Sequence, residues 1–464
     1  MEIWQLSALE IAAAIRAGQF SSREALDAHI ERIEKINPVV NAITDVILEA
    51  AQKAANAADS ALAKGDISGP LHGVPISVKE NIDVAGSATT QGVVALKDAI
   101  ATQDSPQIAN LRAAGAIPFA RTNMPDFGLR WYTDNALRGA TLNPWNPDLT
   151  PGGSSGGEAV ALATGMTPLG CGNDLGGSLR IPSAFAGTAA IKPTTGRVPF
   201  ASCFDAPPPP LTIHLFAVEG PMARQVDDLV LALEVMSRGS VRDPLWVPAR
   251  KDPSDHTPKR VAVCRAPGGL TLHPDVMAGI DKAAEALADA GYRVEDQEPP
   301  ELENTEVAWL NLLMADINLG LRPAMGPLLS QGATAFLDLI NTWGPEPSLE
   351  SYMRWTAERH RLAAAWRAFH ADYPIILGPV CNNPPFEIGA DIESPERNEA
   401  ITHSLNLTTS VNMLGLPAAV VPVGKANGLP QAVQLIADRF CEQTALTAAR
   451  SIEARTDRLT PITP

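Results

Sequence analysis

The sequence predicts an α/β protein, and three observations carry that expectation. Amphipathic helical periodicity opens the chain, short apolar runs of strand length then alternate with helical stretches almost to the end, and 464 residues at 45% hydrophobic suffice for a large core. No charged or low-complexity linker and no internal repeat interrupts the alternation.

Taken in order, the periodicity places helices over Ser7 to Ala17, Ser22 to Asn37 and Ile47 to Ala63, the second with Ser21 or Ser22 as cap and Glu24 in its first turn. VPISV (74–78) and AIPFA (116–120) read as strands around a helix near Pro106 to Ala114. From Pro151 to Thr195 the chain is dense in Gly, Ser and Thr yet keeps AVALATG, TPLGCG and SLRIPSAFAGTAAI, which fits buried turns between short elements better than a linker. RVAVCR (260–265), a helix over Pro274 to Ala290, YRVEDQ (292–297), YPIILGPV (373–380), AAVVPVG (418–424) and QAVQLIA (431–437) continue the alternation. The span from about Glu301 to His370 is mainly helical, and APPPPL (206–211) makes a stiff polyproline segment, either surface loop or pocket wall.

Composition excludes several functions. The net charge is -16 and no Lys/Arg cluster offers a basic face for phosphates, so no nucleic-acid partner is expected. Five scattered cysteines without C-x-x-C spacing argue against a disulfide framework or zinc site, and Cys171 reads as a small buried hydrophobe. The first residues lack a basic n-region, and no run reaches the roughly 18 apolar residues that span a bilayer. A cytoplasmic location with no membrane partner is the expectation.

TPGGSSGGEA (150–159) poses the chemical question. A phosphate loop needs a lysine after its last glycine, and Glu158 stands there instead. Gly153, Ser155 and Gly157 satisfy G-x-S-x-G, which would make Ser155 a nucleophile with a histidine base. That elbow follows a strand, however, and NPWNPDLTP before it has three prolines and no β-branched run. The third reading takes in more residues. Gly176 and Gly177 precede Ser178 in GNDLGGSLR, a spacing that lets consecutive amides converge as an oxyanion hole, and Lys79 ends the strand-like run of GPLHGVPISVKENID. Burial lowers a lysine's pKa toward that of a usable base, so one lysine and two serines form a proton path.

These three segments resemble the amidase signature family, hydrolases with a Ser-cisSer-Lys triad. The resemblance is continuous from about Gly69 to Thr195 and resumes at GRVP (196–199), EGPMARQVDDL (219–229), NMLGLPAAVVPVG (412–424) and GLPQAVQLIADRF (428–440). It implies one α/β/α domain over residues 1–464, with a central mixed, mostly parallel twisted sheet covered by helices. The catalytic core would be 69–195 and a helical substrate-pocket region about 301–370. Carried over to this sequence, Ser178 is the nucleophile, Ser154 the cis-serine and Lys79 the base, and the amides of Leu175, Gly176, Gly177 and Ser178 form the oxyanion hole. Gly153 and Ser155 support the loop, and Asp174 pairs with Arg180 to hold it. Met124, Phe127, Trp131 and Tyr132 are candidates for the acyl pocket, although such a stripe equally forms core.

The implied reaction is metal-free and cofactor-free cleavage of C–N bonds in small amides, anilides or carbamates (urethanes), with water completing the cycle and ester cleavage as a side activity. The chain would be a monomer or homodimer. Two further readings stand beside it: one component of an amidotransferase that works on misacylated tRNA with partner subunits, and a catalytically dead binding protein on the same fold. The sequence departs from the family pattern at Asn173, where Ser or Thr is common, and in VCNNPPF (380–386), where Asn382 and Asn383 could supply polar contacts. The apolar span Glu301 to Gly344, with FASCFDAPPPPL, points to a hydrophobic or aromatic substrate, and a core helix explains the same residues.

Overall fold

Ser21 caps the helix Ser22–Val40 in a reciprocal capping box with Glu24, and the helix ends at Asn41 in the left-handed region. Ser7 and Glu10 start the helix Ala8–Arg16 in the same way. The computed structural model describes residues 2–204, 209–248 and 258–464. The prolines at 207 and 208 lie outside them, and Pro209 and Pro210 lead into the helix Leu211–Phe216.

The described residues contain the strands β1 (Ile43–Val46), β2 (Pro75–Lys79), β3 (Ile117–Thr122), β4 (Leu169–Asp174), β5 (Ala189–Lys192), β6 (Val218–Ala223), β7 (Arg260–Val263), β8 (Arg293–Asp296), β9 (Ile375–Pro379), β10 (Ala418–Ala426) and β11 (Leu429–Ala437). They form one 11-stranded sheet in the order β1-β3-β2-β4-β6-β5-β10-β11-β9-β7-β8. Every apolar run expected as a strand is one. Two strands escape that reading, because ITDV is short and half polar and VEGPMA contains both Gly and Pro.

The sheet is mixed as expected, but parallel ladders are its minority. Only β2 with β3, β2 with β4, β7 with β8 and β7 with β9 run parallel. Local connections decide this. Asn427 and Gly428 make a two-residue turn with φ of 51° and 83°, which can only reverse the chain between β10 and β11. The helix Arg180–Ala186 carries β4 over to β5, and β6 then returns between them, antiparallel to both.

Alternation along the strands feeds a core on each face. Ile375, Leu377, Ala419, Val421 and Leu435 pack with the helices Pro106–Ala113, Val226–Met236, Pro274–Asp289 and Glu442–Glu453. Ile376, Ala418, Val420 and Ile436 face the other way, onto the helices Leu302–Ala315, Gln331–Trp343, Leu349–Asp372 and Asn406–Leu414. Trp309, Leu310, Leu312, Leu313 and Met314 are buried in this second core, so packing accounts for the apolar span beyond Glu301. Among the described residues no helix is long and apolar enough to cross a membrane.

Candidate active site

Ligands of α/β sheets gather at the carboxyl ends of parallel strands. Lys79 is the last residue of β2 and Asp174 the last of β4, and these strands run side by side with Val78 opposite Cys171. Asn173 therefore stands next to Lys79 without any loop to place it. The Lys79 Nζ lies 2.6 Å from Asn173 Oδ1 and 2.7 Å from Ser154 Oγ. Asn173 donates its Nδ2 to Asn81 Oδ1 at 2.9 Å, which keeps the amide oxygen turned to the lysine. Where the family commonly has a hydroxyl, this chain fixes the amine with a carbonyl oxygen.

The glycine-rich run is frame, not linker. The Gly153–Ser154 peptide bond is cis. Gly152 has φ of 85°, and a Cβ on it would stand 2.7 Å from Pro182 Cα; one on Gly153 would stand 2.5 Å from the Arg130 carbonyl oxygen. Ser155 ends the run as the residue before the helix Gly156–Ala163. Its N–H donates to the Ser178 carbonyl at 3.2 Å and its hydroxyl reaches the Asn173 carbonyl at 3.4 Å. No strand enters this turn, and no hydrogen bond joins Ser155 to a described histidine, so the elbow reading loses both its supports. Ser154 and Ser178 are brought together by the backbone, through Ser155, while no hydrogen bond directly links their two hydroxyls.

The loop after β4 is held at every step. Arg180 grips Asp174 with two bonds of 3.0 and 3.1 Å, both side chains fully buried, and Arg180 is itself held by Gln434 and Asn412. Burial alone would raise the Asp174 pKa, but the guanidinium holds the carboxyl well below its ordinary value. Asp174 also accepts the N–H of Gly177 at 2.8 Å and of Leu179 at 3.1 Å. This corrects one expectation. Gly177, assigned to the oxyanion hole, spends its amide on Asp174, whereas the amides of Leu175, Gly176 and Ser178 make no hydrogen bond within the described residues.

Burial dominates the electrostatics. It brings Lys79 down from 10.5 to about 7, against the opposing charges of Glu219, Asp174 and Glu158. Burial likewise pushes Glu219 up to about 8 and Glu158 up to about 7, with Lys79 opposing in each case. Glu158 rides on the helix Gly156–Ala163 and accepts from Ser77 and from Thr122 at 2.9 Å, so it faces the sheet and not a ligand. Glu219 went unnoticed in the sequence. It sits on β6 directly opposite Asn173, and its only advance signal was a carboxylate inside the strand-length run AVEGPM.

The four pocket candidates divide. Met124 and Ser154 both border Gly128, with the Met124 Cε 3.8 Å and the Ser154 Oγ 3.1 Å from where a Cβ there would be. Phe127 takes a left-handed φ of 48°, uncommon for a bulky residue, one position before that glycine. Trp131 instead donates its Nε1 to the Gly176 carbonyl at 3.0 Å. Tyr132 packs under the Arg130 guanidinium, 5.4 Å from the ring centre, in a buried cluster with Asp391. Asn382 and Asn383 are not part of the constellation: the Asn382 backbone bonds to His273 and Ser404, and Asn383 lines a cleft with Phe185, Val380 and Pro384 that holds none of Lys79, Ser154 and Ser178. Cys171 is buried, and its thiol pKa is pushed well above the ordinary value by burial.

The model of the family described as Amidase matches residues 24–446. The chain belongs to the amidase family. This amidase is 42% identical over 461 residues to the indoleacetamide hydrolase of Bradyrhizobium diazoefficiens, covering 98% of this chain and 87% of that one. It is 30% identical to a glutamyl-tRNA(Gln) amidotransferase subunit of Methylococcus capsulatus, over 97% of this chain and 96% of that one. Among solved structures, a bacterial aryl acylamidase of the amidase signature family superposes with a TM-score of 0.83 at 26% identity, covering 98% of this chain and 96% of that one. The chain is thus an amidase signature hydrolase acting on amides.

Proposed function

We propose that this amidase cleaves small amides through an acyl-enzyme on Ser178, with Ser154 as proton relay and Lys79 as base. The observation that carries the reading is the 2.7 Å contact between Lys79 Nζ and Ser154 Oγ at the carboxyl end of β2. A neutral amine has two N–H groups and one lone pair. With one N–H engaged by Asn173 Oδ1, the lone pair is free to accept the Ser154 proton while Ser154 accepts that of Ser178. The Ser178 oxygen attacks the amide carbon, and the amides of Leu175, Gly176 and Ser178 take up the charge on the carbonyl oxygen. As the C–N bond breaks, the proton returns along the relay to the leaving nitrogen. Water then repeats the sequence on the acyl ester and releases the acid.

The resemblance to an indoleacetamide hydrolase favours small aromatic acetamides as substrates, with anilides, carbamates and esters as slower candidates because all pass through the same acyl-enzyme. The near-complete coverage of an amidotransferase component sustains one second reading, transfer of ammonia to misacylated tRNA with partner subunits. Assay of the purified lone chain on a panel of indole-3-acetamide, phenylacetamide, an anilide, an aryl carbamate and an aryl ester separates the two. Steady turnover of the primary arylacetamides is expected. No turnover of any panel member, with activity appearing only alongside co-purified subunits, would favour the second reading.

The same chemistry sets the pH dependence. Lys79 must be neutral to act, so kcat/KM should rise with pH through a midpoint near 7. Glu219 stands opposite Asn173 with its carboxyl pushed up to about 8 by burial, so it is largely protonated where Lys79 titrates. Glu219→Gln keeps that neutral shape, and the acid limb of kcat/KM should stay near pH 7. A limb that moves to lower pH by about a full unit would show that Glu219 is charged while the lysine titrates.

A further inference from the structure

Two indoles, one of them from outside the signature segments, hold the oxyanion loop by its carbonyls. Five consecutive carbonyls there accept a hydrogen bond. Asp174 accepts from Asn412 Nδ2 at 3.3 Å, Leu175 from Trp309 Nε1 at 3.3 Å and Gly176 from Trp131 Nε1 at 3.0 Å. Gly177 accepts from the Ile181 N–H at 2.7 Å and Ser178 from the Ser155 N–H at 3.2 Å. In a trans peptide the C=O and the following N–H point in opposite directions. Each anchored carbonyl therefore aims the next amide the other way, and the bond to Leu175 is what aims the Gly176 N–H.

The indoles are themselves fixed. Trp131 meets Phe336 edge to face, with centroids 5.6 Å apart and planes at 88°. The Trp309 ring lies on Gly176, where a Cβ would come within 2.7 Å of Cζ2. Both indoles are buried, and an indole N–H is only ever a donor. A glycine peptide lacking such an anchor can rotate and turn its carbonyl oxygen into the space meant for the oxyanion. Trp309 stands on the helix Leu302–Ala315, so the helical layer packed on that face of the sheet supplies one of the clamps.

We propose that Trp309 and Trp131 are positioning residues of the oxyanion loop, each acting through its indole N–H on one carbonyl. Trp309, on Leu175, aims the Gly176 N–H into the hole, and Trp131, on Gly176, turns the Gly177 N–H onto Asp174, which closes the loop that presents the neighbouring amides. The proposal rests on Ser178 being the nucleophile. Trp309→Phe and Trp131→Phe each keep an aromatic ring and delete the donor. Each should lower kcat by about ten- to a hundredfold, short of the roughly 10²- to 10³-fold typical when an oxyanion donor is removed outright, and leave KM within about threefold. Phosphonylation of Ser178 by a serine-directed fluorophosphonate should slow in parallel. Trp246→Phe, which removes an indole bond of 3.1 Å to the Ser237 carbonyl away from this loop, should change neither rate. A merely structural role would lower the melting temperature and the active fraction while leaving the kcat of the folded fraction intact, and wild-type kcat in both folded variants overturns the proposal. Two separate variants keep the test open if one fails to fold. No label on Ser178 in the unmutated chain would overturn the catalytic reading and, with it, this one, whereas normal labelling with unchanged variant kinetics overturns the clamp alone.

Discussion

Ser178→Ala should reduce kcat by a factor on the order of 10⁴ to 10⁶, the range seen when a serine hydrolase loses its nucleophile. The structure gives the physical reason. The Asp174–Arg180 pair, the glycines around Ser154 and the five anchored carbonyls all serve to hold the segment 174–178, and none of them can form the acyl bond in place of the hydroxyl. Ser178 is buried and its hydroxyl carries no hydrogen bond among the described residues, so its loss should leave the fold near wild-type stability. Ser155→Ala is the contrasting variant. Its hydroxyl makes one long bond of 3.4 Å, worth about 1 kcal/mol, and activity should stay within about tenfold of wild type. Comparable losses in both variants, measured by kcat on a turned-over amide, would reverse the assignment.

Lys79→Ala is expected to lower kcat by about 10²- to 10⁴-fold, the usual contribution of a positioned base, and to abolish the rise of kcat/KM through pH 7. The sign follows from burial. A lysine whose pKa falls to about 7 is charged below that pH and holds no lone pair for Ser154, so activity is lost on the acid side and regained on the alkaline side. Lys79→Arg should not restore activity, because a guanidinium stays protonated across the accessible range. Residual activity in Lys79→Ala with an unchanged acid limb would assign that limb to another group, and Glu219, raised to about 8, would be the first to examine.

Much of the fold was legible because the chain obeys simple periods. The helix Ser22–Val40 announced itself by Ser21, Glu24 and its apolar spacing, and the strand runs at Pro75, Ile117 and Ile375 by uninterrupted burial. Strand direction was less legible. The sheet runs antiparallel through its middle because of one Asn-Gly turn and the return of β6, and a run such as VEGPMA carries no apolar period to reveal it. At the site, Lys79 and the glycine-flanked serines stood out by residue type, while the choice of Ser154 over Ser155 and the roles given to Lys79, Ser154 and Ser178 rested on the family resemblance. Glu219, Asn412 and Trp309 did not stand out, because they reach the site through strand register and helix packing across distant segments. The amide of Gly177 shows a subtler limit. The sequence names the glycines of a turn, but only the position of Asp174 decides which N–H groups stay free.

The central claim is that Ser178 carries the acyl group and Ser154 does not. Rapid quench of the enzyme with an aryl ester or a serine-directed fluorophosphonate, followed by peptide sequencing, tests it most directly. Ser154, Ser155 and Ser178 all fall in the tryptic stretch between Arg138 and Arg180, so the modified residue must be read from fragment ions within that peptide. The adduct is expected on Ser178, absent from Ser178→Ala and slowed in Lys79→Ala. An adduct on Ser155 or Ser154 in the unmutated chain would contradict the account.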